Sequence, residues 1–89
     1  MNIEFDRSFE KSLDRLQNPG ILKRTEGIII QIEAAKSLTE LSNIKKLTGF
    51  PNYFRSRIGD YSLGFESIDK NTIRFIIIAH RKDIYQSFP

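Results

Sequence analysis

The sequence predicts an α+β domain: a short N-terminal strand and an αα-hairpin packed on one face of a twisted, mainly antiparallel sheet, in the order β-α-α-β-β-β. Three observations predict it. Two apolar stripes at helical spacing flank Asn18-Pro19-Gly20 in the first half. Two alternating runs flank Gly59-Asp60 in the second half. Thr72–Ala79 is an apolar run broken only by Arg74.

Each element has its own signal. Asn2–Asp6 alternates, with Ile3 and Phe5 on one side, and reads as a short strand. Asp6 is a good N-cap, and Phe9, Leu13 and Leu16 then recur at helical spacing. Asn18-Pro19-Gly20 ends that helix. Ile21, Thr25, Ile28, Ile32 and Ala35 form the stripe of a second helix, and this pattern overrides the strand-like Ile28-Ile29-Ile30. Ser37–Leu41 reads as a loop or a short helical turn. Ile44–Leu47 begins the sheet again, and Thr48–Asn52 turns the chain. The apolar Thr72–Ala79 run suits a central strand covered on both faces. His80–Tyr85 leaves the sheet.

The Gly59-Asp60 pair is a two-residue hairpin signal. With that loop, Ile58 faces Tyr61, Arg57 faces Ser62, Ser56 faces Leu63, Arg55 faces Gly64 and Phe54 faces Phe65. Opposite residues share a face. One face is then Phe54, Ser56, Ile58, Tyr61, Leu63 and Phe65, built to be buried. The other is Arg55, Arg57, Ser62, Gly64 and Glu66. It reads as an open, cationic face without large apolar groups, suited to an anion.

Composition narrows the class. A chain of 89 residues, 39% hydrophobic and 28% charged, makes a single globular domain over 1–89. There is no cysteine, hence no disulfide and no thiolate metal site, which suits a reducing cytosol. The N-terminus has no leader pattern, and no apolar run approaches the roughly 20 residues of a membrane helix. A cytoplasmic protein without membrane contact is therefore expected. Residues 1–42 carry six Lys/Arg against seven Asp/Glu, net −1, whereas residues 43–89 carry eight against four, net +4. The strand-rich half is thus the cationic half, as a polyanionic or acidic partner would require.

Catalytic patterns are few. With one histidine, no cysteine and scattered carboxylates, no metal-ligand spacing is present. A two-metal phosphodiesterase site and a cofactor are not expected. Cations and aromatics remain. Arg55 and Arg57 lie two apart on one strand face, about 6.6 Å between Cα atoms. Two forked guanidiniums at that spacing suit one phosphate or two successive ones, although exposed strand arginines also simply keep sheets soluble. Lys45 and Lys46 extend the patch. His80 and Arg81 end a strand, with Tyr85 one helical turn on, so an acid/base group is expected at the same place. A nuclease without metal ligands points to RNA, whose own 2′-hydroxyl is the nucleophile. Such cleavage needs a base, an acid and fixed cations at the phosphate.

Three segments in order, Lys46-Leu47-Thr48-Gly49-Phe50-Pro51, Tyr53-Phe54-Arg55-Ser56-Arg57-Ile58-Gly59-Asp60-Tyr61 and Ile78-Ala79-His80-Arg81-Lys82-Asp83-Ile84-Tyr85, resemble the RelE/ParE superfamily. These are toxins of bacterial type II toxin–antitoxin pairs. The resemblance covers essentially the whole chain. It implies a ribosome-dependent endoribonuclease, an mRNA interferase that cuts by 2′-hydroxyl attack, with a cognate antitoxin and ribosome-bound mRNA as partners. It implies catalytic roles for Arg55, Arg57, His80, Arg81 and Tyr85; Lys45, Lys46, Ser62 and Lys82, beside them in the cationic half, are then expected along the RNA. One position departs: where the family has arginine after Gly-x-Tyr, this chain has Ser62, so a slower enzyme is expected, with Ser62 exposed on the cationic face. The alternatives are a ParE-like poison of DNA gyrase, whose members generally lack the basic and His/Tyr site, and a non-catalytic basic module that binds an acidic antitoxin.

Overall fold

The structure is a computed structural model that describes residues 1–89, with the side chain of Ser87 left out of account. The chain runs β1 (Asn2–Phe5), α1 (Arg7–Arg15), α2 (Pro19–Ala34), a 3-10 turn (Leu38–Glu40), β2 (Ile44–Lys46), β3 (Tyr53–Ile58), β4 (Tyr61–Asp69), β5 (Thr72–His80) and α3 (Ile84–Ser87). The five strands form one sheet in the order β1-β5-β4-β3-β2. Only β1, beside β5, pairs in parallel. The expected α+β order thus holds. The short Ile44–Lys46 run adds an edge strand of its own, and a third helix follows the last strand.

The helices start where side chains can satisfy their free amides. Asp6 caps α1 by accepting from the Ser8 amide at 3.0 Å. Asn18 caps α2 by accepting from the Ile21 amide at 3.1 Å, with Pro19 in the first turn, where its missing N–H costs nothing. The triplet that stops one helix therefore also starts the next. The three isoleucines 28–30 lie inside α2.

The two stripes meet the sheet as their spacing implies. Phe9, Ile21 and Ile32 pack with Ile58, Leu63, Phe65, Ile73, Phe75 and Ile78 in the main core. Each such side chain contributes roughly 1.5–3 kcal/mol through burial. Where β1 ends, α1 takes over the backbone of β5. Ser8 donates to the Ile76 carbonyl at 2.6 Å, and Ser12 accepts from the Ile78 amide at 3.0 Å.

The hairpin register is the expected one at every position: Ile58–Tyr61, Arg57–Ser62, Ser56–Leu63, Arg55–Gly64 and Phe54–Phe65 are paired. Gly59 has φ +59° while Asp60 stays on the negative side, the pattern of a type II′ turn.

The second face differs from the open surface that the strand alternation implied. Leu47, Ile84 and Phe88 form a second core there, with Tyr53, Ile76, Ile77 and Ala79 packed around it. The C-terminal segment folds back and lays Phe88 on Gly64. A Cβ at position 64 would stand 2.9 Å from two atoms of that ring. The small residues on this face are therefore seats for aromatic cover. Ser62, expected exposed, is 1% exposed. Its hydroxyl has no hydrogen-bond partner among the described residues. The expectation fails because the cover comes from the last six residues, which carry no periodic signal.

Candidate functional site

Charge on the second face is balanced at one end only. Toward β1, Glu4 and Glu66 both sit opposite Arg74, and Glu4 accepts from Arg74 Nε at 3.1 Å and from its terminal nitrogen at 3.0 Å. It is the one ion pair among the described residues. Toward β2, Lys45 sits directly opposite Arg55. Side chains so paired have Cβ atoms about 4.5–5.5 Å apart, and like charges there repel. No carboxylate relieves this pair among the described residues. Two like charges held side by side leave local positive charge that an anion would relieve.

Lys45, Lys46, Arg55 and Tyr85 line one groove of about 320 Å³ beneath the chain end. Tyr85 is on α3 and 56% exposed, while Ile84 beside it is fully buried and anchors the helix. The anchor thus holds Tyr85 at the groove that the cations line. Arg57 shares the face of Arg55 by alternation and is exposed at the end of β3.

The other candidates lie elsewhere. Arg81 and Lys82 are exposed in the turn after β5, and the Arg81 amide donates to the Asp60 carbonyl at 2.8 Å, tying that turn to the hairpin tip. His80 does not join the Arg55–Tyr85 groove, contrary to the expectation of one shared place. It pairs with Tyr61 on the helix side of the sheet, with ring centroids 5.5 Å apart and nearly edge-on. It lines a separate groove of about 340 Å³ with Ser12, Arg15, Asp83 and Gln86. Its Nδ1 accepts from the Lys82 amide at 3.2 Å. Side-chain alternation along β5 decides this placement. His80 follows Ile78 on the core side, and the turn after it sends Tyr85 to the opposite face.

Sequence reasoning missed three contributors. Ile84 and Phe88 were not read as cover, although Gly64 in mid-strand is itself a signal of close approach. Phe50, left in a turn, also lines the Lys45–Arg55 groove.

A strand, a helical hairpin and a half-covered sheet with an unbalanced basic groove define a small α+β protein with a cationic surface. No protein-family model matches the sequence. Toxin RelE3 of Methanocaldococcus jannaschii is 41% identical over the full length of both chains. The crystal structure of a RelB-RelE antitoxin-toxin complex from Methanococcus jannaschii contains a chain that is 40% identical, with a TM-score of 0.80 over 97% of this chain and 99% of that one. The YoeB dimer of Staphylococcus aureus shares the fold at 16% identity, with a TM-score of 0.71 over 91% of this chain and 97% of that one. The chain belongs to the RelE family of toxins of toxin–antitoxin systems.

Proposed function

We propose that this toxin is a metal-independent endoribonuclease that cleaves mRNA on the ribosome, held in check by a cognate antitoxin. The observation that carries the reading is the uncompensated Lys45–Arg55 pair in the groove that Tyr85 also lines. Arg55, Lys45 and Lys46 hold the scissile phosphate. Arg57, Arg81 and Lys82 extend positive charge along the RNA. Tyr85 exchanges a proton with the 2′-hydroxyl or the leaving oxygen. His80 acts through the turn it fixes, keeping Arg81 and Lys82 in place, and does not touch the phosphate. Position 62, where the family resemblance implies an arginine, holds a buried serine outside the groove, and slower cleavage is part of the proposal. The antitoxin lays an extended or amphipathic acidic segment over residues 45–89. In support, a solved relative is itself an antitoxin-toxin complex. Such an interface weakens with salt.

Mapping mRNA ends after incubation with translating ribosomes tests the reading. Arg55→Ala should lower the cleavage rate about 10²–10³-fold, as for loss of one fixed donor at a developing charge. Arg81→Ala should also lower the cleavage rate while leaving the fold and antitoxin binding largely intact. Intact mRNA together with double-strand DNA breaks in expressing cells would replace this reading with a gyrase poison.

A further inference from the structure

The basic groove is not lined by cations alone. Phe50 opens its ring onto it and is 45% exposed. The turn that carries Phe50 is closely held. Its amide donates to the Leu47 carbonyl at 3.2 Å, and its carbonyl accepts from the Tyr53 amide at 3.3 Å. Gly49 before it has φ +82°, and Pro51 after it fixes its own φ and restricts Phe50. On its inner side the ring meets Tyr53 edge-on, with centroids 6.2 Å apart. Tyr53 in turn meets Phe88 edge-on at 5.5 Å. A chain of rings therefore props Phe50 from behind and leaves part of it open beside Lys45, Lys46 and Arg55.

A simple anion site gains nothing from such a ring. Single-stranded nucleic acid does, because its phosphates follow cations while its bases stack on aromatic faces. We propose that Phe50 is a base-stacking platform: one nucleobase of single-stranded RNA lies on its ring while the adjoining phosphate lies on Lys45 and Arg55. This inference rests on the ribonuclease reading and adds a contact that the reaction itself does not require. Every base has a π-face, so the platform adds affinity with little base preference.

The chain has no tryptophan, so Phe50→Trp introduces a sole indole at the platform. The probe is a short single-stranded RNA with 2′-O-methyl riboses, which cannot be cleaved by 2′-hydroxyl attack. The control is an abasic oligonucleotide of equal length. Fluorescence anisotropy of an end label reports binding, and indole emission reports stacking. The RNA should quench the indole over the concentrations at which it binds, whereas the abasic strand should bind without quenching. Phe50→Leu should weaken RNA binding about tenfold and leave abasic binding unchanged, and Phe50→Tyr should bind RNA like the original protein. Unchanged abasic binding also shows that the leucine variant is folded. Binding without quenching, or equal losses on both strands, overturns the inference and leaves the ribonuclease reading standing. Failure of both strands to bind also overturns it, and the ribosome assay then decides the ribonuclease reading separately.

Discussion

On one face of the sheet, the nine residues of α1 and the sixteen of α2 lay a continuous apolar surface over Phe65, Phe75 and Ile78. On the other, the cover is Ile84 and Phe88, at the end of the chain, with Leu47 at the edge. The first cover is built from regular elements, each capped, and α1 is tied to β5 by side-chain hydrogen bonds. The second is a four-residue helix and one aromatic ring resting on a glycine. A core of the first kind opens only when the protein unfolds. Cover of the second kind can open locally, with a free energy below that of global unfolding. The cationic groove lies on the side with the lighter cover.

The largest test of this contrast compares two buried phenylalanines. Phe75→Ala should cost about 3–5 kcal/mol in urea unfolding, because the cavity opens in the main core. Phe88→Ala should cost less than half as much, since the loss is capped by the free energy that docks the segment. Equal losses would show that the two covers are equally integral.

Next comes Ser62→Arg. The cover over position 62 reverses the expectation of a harmless surface change. Inserting a long charged side chain there should cost about 1–3 kcal/mol and drive the C-terminal segment off the sheet. A variant as stable as the original, by the same urea titration, would place residue 62 at the surface after all.

Gly64→Ala is a subtler wedge. Its Cβ would stand 2.9 Å from the Phe88 ring and 3.1 Å from Ile77, so a ring must move. The expected cost is about 1 kcal/mol, at the low end for overpacking. The chain has no cysteine, so S62C supplies a single thiol as reporter. Its alkylation should speed up in the Gly64→Ala background. An unchanged rate would mean that the ring slides aside without lifting the segment.

The smallest effect belongs to the helix face. Hydrogen bonds from the Ser8 hydroxyl and then its amide hold the Asp6 carboxyl below the usual carboxylate value. A lowered folded value means that Asp6 stabilises the protein fully above its unfolded pKa, near 3.9, and that this stability is lost as pH falls through the folded value. Asp6→Ala should cost about 1 kcal/mol at neutral pH through loss of the cap. Asp6→Asn should retain most of the cap and flatten the acid limb of the stability–pH curve. An acid limb unchanged in Asp6→Asn would assign that dependence to other carboxylates.

The sequence by itself determined the two helices and the Asp6 cap of the first, the α+β order, the hairpin register and the face on which Arg55 lies. These follow from short-range rules. Helical spacing fixes a stripe, a two-residue loop fixes a register, and strand alternation then sorts Arg55 and Arg57 from Phe54 and Ile58. Only the tertiary structure decided three further matters: that Phe88 closes over Gly64 and leaves Ser62 buried, that His80 turns to the core side away from Tyr85, and that β2 sets Lys45 opposite Arg55. Each depends on where a short, aperiodic segment docks after the sheet has formed. That docking is decided by shape and by contacts across many residues, such as a ring meeting a glycine 24 positions earlier, and spacing along the chain does not encode it.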